Sequence, residues 1–300
     1  MRGIIISEDV EKIQCLMEQV LDTREYHRLS RLGGLSNHTY KVVLHNGEEY
    51  VFRIPGEGTE ELINRRDEKI STQLACQLEI DAPLLYFGDD GTKVSEYVPQ
   101  AVTMSASLLQ KLENIRLVAQ TLRKIHSCGV DTKVPFEVFD MAKDYERVIC
   151  DKAVPMFEDY EQVKAEVAAV KAEIDEAVTV KKVPCHNDPL CENWVKSGDR
   201  MYLIDWEYAG MNDGMWDLAD VSIEAGYDED CDRQLLRAYM KKEPDLFAEK
   251  HFLASKIYVD YLWTLWAKAR VPYDGQPMED WAVERYTRMK SFLAAYRNLK

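Results

Sequence analysis

Apolar residues recur at helical spacing through 7–21, with Ser7 as a candidate N-cap, and this predicts a first helix. From Tyr26 the period shortens. The stretch RLSRLGGLSNHTYKVVLHNGEEYVFRIPG predicts strand, glycine-rich turn, strand, a two-residue turn at Asn46-Gly47, and a third antiparallel strand. Leu62, Ile70, Leu74 and Leu78 then share one stripe, predicting a helix over 60–78, and LLYFGDDGTKVSEYV predicts a second hairpin turned at Asp90-Gly91.

Beyond Pro99 the texture becomes that of amphipathic helices, at 106–127, 139–150 and 160–177. One island of β pattern interrupts them: short strands at 193–195 and 201–204, joined by a Ser197-Gly198 turn. Helices resume at 216–224, 230–240, 247–269 and 281–299. The expected fold class is α+β in two lobes, a small antiparallel-sheet lobe over 1–98 and a mostly helical lobe over 99–300. The charged run at 161–177 is expected to be a solvated helix face with opposite charges at i,i+4.

Composition narrows the function. With 46% hydrophobic residues in 300, the chain can bury a large core without disulfides. Its formal net charge of -15 repels polyanions, so nucleic acid and anionic membranes are poor partners, whereas a cationic small molecule is favoured. Seven scattered cysteines without a C-x-x-C pair suit a reducing compartment. With no secretory pattern and no long uncharged apolar run, the expected location is cytoplasmic.

Polar residues that a plain helical bundle does not need gather in the β island: His186, Asp188, Asn193, Asp205 and Glu207. Asp188 and Asn193 form D-x-x-x-x-N, and the hairpin's fold-back is expected to bring Asp205 beside Asn193. A carboxamide and a carboxylate are oxygen ligands for Mg²⁺, and Asp188 is then free to receive a proton from an attacking hydroxyl. D-x-x-x-x-N alone is weak, arising about once by chance in a chain of this length; the hairpin and Asp205 sharpen it. Neither G-x-x-x-x-G-K-S/T nor G-x-G-x-x-G occurs. The phosphate cradle expected instead is the turn at 33–37, with Gly34, Ser36 and Asn37 near the nucleotide, Arg53 on a neighbouring strand and Glu68 as its helix partner.

GGLSN at 33–37, FRIPG at 52–56, CHND at 185–188 with Asn193, IDWEYAG at 204–210 and WDLAD at 216–220 together resemble the choline/ethanolamine kinase family, over nearly the whole chain. The resemblance implies a protein-kinase-like fold and a kinase using ATP as co-substrate and Mg²⁺ as cofactor. It implies Asp188 as catalytic base, Asn193 and Asp205 as Mg²⁺ ligands, Arg53 in place of the usual kinase lysine, and the backbone from Glu96 to Val98 as the adenine-binding hinge. It further implies choline as acceptor, giving phosphocholine and ADP. Trp263 and Trp266, three apart, share a helical face, and Trp281 on the next helix is placed to fold back beside them. Such indoles can cage a quaternary ammonium, with Glu207 and Tyr208 adding negative potential and another ring. The same spacing also serves ordinary core packing.

Ethanolamine, an aminoglycoside or another amino alcohol are the alternative acceptors, and a catalytically dead nucleotide-binding module is the alternative class. Pro189-Leu190, directly after the base, lacks the polar groups of some relatives, and Asp220 stands where some have a neutral side chain. His186 and Asp217 are expected to brace the loop, Glu224 is open between pocket and scaffold, and metal coordination by Cys185 or Cys191 is not expected.

Overall fold

The computed structural model describes residues 5–33, 37–56 and 63–299. They form two compact units: Met1–Met104 with Glu192–Ala209, and Ser105–Cys191 with Gly210–Lys300. The texture change near residue 98 therefore lies close to the first crossover, at Met104, but the chain returns to the first unit for Glu192–Ala209. Strand pairing is the reason, since Val102–Thr103 (β6), Trp194–Ser197 (β8) and Arg200–Leu203 (β9) share one sheet in the order β6-β8-β9.

The main sheet of the first unit is antiparallel, built from Arg28–Gly33 (β1), Asn37–Val43 (β2), Glu49–Pro55 (β3), Leu84–Phe87 (β4) and Lys93–Glu96 (β5), in the order β1-β2-β3-β5-β4. Tyr40, Val42, Phe52, Ile54 and Val94 turn one face inward, and Ile13 and Met17 of Ser7–Leu21 (α1) pack onto it at i,i+4. Burying side chains of this size contributes about 1.5–3 kcal/mol each. Ser7 is the first helical residue rather than the cap, and Glu8 and Asp9 place charge against the open N–H groups. Asn64 caps Arg65–Gln77 (α2), its Oδ1 accepting from the N–H groups of Arg66 and Asp67, so this helix begins later than Glu60.

The second unit is helical: Ala106–Leu109 (α3), Leu112–His126 (α4), Val138–Asp151 (α5), Tyr160–Ala177 (α6), Gly214–Glu224 (α7), Glu229–Met240 (α8), Leu246–Asp274 (α9) and Gln276–Asn298 (α10). The helix expected over 106–127 is broken between α3 and α4 because side chains take its carbonyls. Tyr227 Oη donates to Leu109 O at 2.9 Å and Asn114 Nδ2 to Leu108 O at 2.8 Å. α9 buries residues on every side and packs against α5, α6, α7 and α10, making it the centre of this unit. A short pair, Val183–Cys185 (β7) with Gly210–Asn212 (β10), was not foreseen from the pattern, being too short to show a period. α6 buries Val163, Val167, Val170 and Ile174 beneath its charged face, where Lys171 and Asp175 form an i,i+4 pair. Among the described residues, no helix is long and apolar enough to cross a membrane.

Candidate active site

In the first unit a buried charge network surrounds Arg53. Its Nη1 pairs with Glu68 and lies 3.2 Å from Asp205 Oδ1, while Nη2 donates to Gly91 O at 2.8 Å. Burial opposes the charge on Arg53, but Glu68 and Asp205 more than offset it, so the guanidinium stays ionised. The Arg53–Glu68 pair expected from the sequence is thus present. Sequence reasoning missed Arg65, whose Nη1 reaches Glu68 Oε2 at 2.7 Å. Glu68 is therefore gripped through one oxygen by each of two arginines, which fixes its rotamer and with it the position of Arg53. The signal available was Arg65 at i,i+3 from Glu68 at the helix start. Gly91, at φ +88, makes room: a Cβ there would come within 2.4 Å of Arg65 Nε.

Asn37, at the start of β2, donates from Nδ2 to Glu207 Oε2 at 3.1 Å, and Arg65 Nη1 lies 3.7 Å from the same oxygen. Glu207 thus contacts Asn37 and Arg65 of this unit, whereas the sequence associated it with the acceptor's head group. Burial, then the nearby charge of Asp205, pushes its carboxyl up to about 7, opposed by the Asn37 hydrogen bond and Arg53. Glu96 ends β5 and Val98 follows it, both in this unit. Tyr208 also lies here, while Gly34 and Ser36 lie outside the described residues.

Asn193 closes a short 3-10 turn, Cys191–Asn193, and leads into β8. Ile204 N–H donates to Asn193 O at 2.9 Å, so the β8–β9 hairpin carries Asn193 and Asp205 at one end, as its fold-back required. Asp205 has φ +68, a left-handed conformation that Asp tolerates at a cost, and its side chain remains 34% exposed. A carboxylate and a carboxamide carried at one end of a hairpin are oxygen donors of the kind a hard divalent cation such as Mg²⁺ takes.

In the second unit the loop after β7 is braced by Asp217 on α7. His186 and Asn187 N–H groups donate to its two oxygens, each at 2.8 Å, and His126 Nε2 lies 3.0 Å from Oδ2. Asn187 holds φ +67, Trp216 Nε1 donates to its carbonyl at 3.0 Å, and the N–H of Asp188 reaches His186 Nδ1 at 3.3 Å. Asp188 is thereby held on a rigid loop. His126, Cys185 and Asp217 bring possible metal-ligand atoms within 4.8 Å of one another. Burial keeps the Cys185 thiol protonated, and Asp217 already accepts from the loop, so this cluster is a brace rather than an ion site.

The three tryptophans converge within the second unit. Trp263 and Trp266 on α9 have ring centroids 6.1 Å apart at 85°, and Trp266 and Trp281 on α10 are 5.8 Å apart at 84°. Trp263 is buried, and the other two are half-buried. Edge-to-face contacts of this kind fix the rings relative to one another.

The sequence profile of the choline/ethanolamine kinase family matches residues 30–267. Protein LicA of Haemophilus influenzae is 27% identical over 279 residues, covering 89% of this chain and 81% of its own. Among solved structures, a choline/ethanolamine kinase family protein from Mesorhizobium loti superposes with a TM-score of 0.84 at 30% identity, covering 96% of this chain and 98% of that one. Choline kinase LicA from Streptococcus pneumoniae gives 0.81 at 30% identity, covering 97% of this chain and 100% of that one. An aminoglycoside phosphotransferase solved with streptomycin and ATP shares the fold at 14% identity and a TM-score of 0.64. With the profile spanning both the Arg53 network and the Asp188 loop, the chain belongs to the choline/ethanolamine kinase family and is a small-molecule kinase of α+β, kinase-like fold.

Proposed function

We propose that the protein is a cytoplasmic, ATP- and Mg²⁺-dependent choline kinase that transfers the γ-phosphoryl group to the choline hydroxyl, yielding phosphocholine and ADP. The observation that carries the choice of acceptor is the row of Trp263, Trp266 and Trp281. Quaternary ammonium has no N–H to donate, so it is recognised by π faces rather than by hydrogen-bond acceptors; each such contact contributes about 0.5–2 kcal/mol.

In this reading Arg53, steered by Glu68 and Arg65, binds the phosphates, and Asn37 contributes its carboxamide beside them. Backbone groups from Glu96 to Val98 receive adenine. Asn193 and Asp205 hold Mg²⁺, which when bound neutralises charge on the phosphate oxygens. Asp188, kept on its loop by the Asp217 brace, orients the hydroxyl and takes its proton. Most of the rate gain then comes from positioning and charge complementarity.

ADP release from Mg-ATP with choline, ethanolamine and an aminoglycoside, side by side, tests this. Turnover with choline above the others is expected, and Asp188→Asn is expected to lower kcat by roughly a thousandfold or more while sparing ATP binding. Preference for a primary amine would overturn the acceptor reading, and near-normal turnover of Asp188→Asn would overturn the base.

A further inference from the structure

Arg285 of α10 is the most deeply buried cation near the tryptophan row, with its side chain 2% exposed. Its guanidinium carbon lies 4.2 Å from the ring centroid of Trp281, one helical turn earlier. Nη1 donates to Asp260 Oδ1 on α9 at 3.1 Å, and Nη2 donates to Glu224 on α7. Asp260 is also held by Arg288, through Nε to Oδ2 at 2.8 Å and Nη2 to Oδ1 at 2.7 Å. Arg288 thus already supplies Asp260 with a partner. What Arg285 adds is the link to Glu224 and the stack on Trp281.

We propose that Arg285 is a positioning residue of the acceptor site, a resident cation that holds Trp281 in the row and keeps Glu224 in place beside it. This rests on the reading of the tryptophan row as the acceptor site. The Trp281 indole is constrained on two sides, by the guanidinium and by the edge-to-face contact with Trp266 at 5.8 Å. A ring oriented before the ligand arrives spares the acceptor the entropic cost of ordering it. With one face of Trp281 stacked on Arg285, an incoming ammonium must use the remaining indole surface of the row, so Arg285 also sets which surface is available. The planar fork is needed: a lysine ammonium lacks the flat face that stacks and the paired donors that span Asp260 and Glu224.

The test compares Arg285→Lys, Arg285→Met, Glu224→Gln and Trp263→Ala by steady-state kinetics with choline and ATP varied separately, together with the near-ultraviolet circular dichroism of the indoles. Arg285→Met is expected to raise choline KM roughly tenfold, with ATP KM and kcat within about twofold of wild type; a tenfold change corresponds to about 1.4 kcal/mol. Arg285→Lys falls between the two, and Glu224→Gln shows a smaller rise and keeps the assay informative if Arg285→Met does not fold. The indole dichroism changes in both Arg285 variants. If Trp263→Ala raises choline KM while Arg285→Lys and Glu224→Gln leave it and the dichroism at wild-type values, the positioning role is wrong and Arg285 is only scaffold. If Trp263→Ala also leaves choline KM unchanged, the acceptor reading itself fails, and this proposal with it.

Discussion

Asp220 on α7 is fully buried, and neither carboxylate oxygen has a hydrogen-bond partner among the described residues. Burial pushes its carboxyl well up, and Glu224, Asp188 and Asp217 push the same way against Arg285. The folded state therefore holds a proton that the unfolded chain gives up near its ordinary value of about 3.9. The stability this proton provides is complete below that value and is lost as pH rises through the folded value. Asp220→Asn removes the titration, so it is expected to be more stable than wild type by about 1–3 kcal/mol at pH 8 and not at pH 4, as calorimetry at the two values would show. Arg65 lends itself to a different measurement. Arg65→Met leaves Glu68 with one arginine instead of two and is expected to cost about 3 kcal/mol of stability. A several-fold rise in ATP KM, partly restored in Arg65→Lys, would mark it as steering Arg53 rather than only holding the fold. The Arg53–Glu68 pair was legible from residue order, whereas Arg65 offered only its i,i+3 spacing from Glu68, and its role depends on the space that Gly91 opens for it.

Among the elements, α6 shows the limit of what periodicity reveals: its bounds follow directly from the apolar stripe, since half of it faces solvent. α9 is different. It extends beyond the expected 247–269 to Asp274, carrying Pro272 inside it and ending at Gly275 with φ 72, and because its buried residues stop at Ala269 the exposed last turn carries no apolar stripe to read. Ile257 and Leu262 are fully buried at its middle. Leu262→Ala is expected to destabilise the protein by about 2–5 kcal/mol, read by denaturant unfolding of the second unit. The β8–β9 hairpin was legible, down to its turn at Ser197-Gly198, because turn chemistry and alternation are local. The β7–β10 pair was not. Three-residue strands far apart in sequence are too short to show a period, and their pairing is a tertiary contact.

For the molecule as a whole, the net charge of -15 attracts a cationic acceptor and repels an anionic nucleotide at long range, so the two respond unequally to salt. The choline kcat/KM is expected to fall by about two- to fivefold from about 0.01 to 1 M salt, as the screening length shrinks from about 30 to 3 Å. The apparent affinity for ATP is expected to fall less, and initial rates across a salt series would show both. The sequence by itself determined the α+β class, the order of the longer elements, the hairpin that carries Asn193 and Asp205, and the family, because each of these is written in local periodicity, turn residues or linear motifs. Tertiary structure decided that the chain returns to its first unit at Glu192–Ala209, that Glu207 joins Asn37 and Arg65, and that three indoles meet with Arg285 against one of them. These depend on burial and on contacts between residues far apart in the chain, and side-chain charge and packing resolve them only once the helices and sheets have assembled.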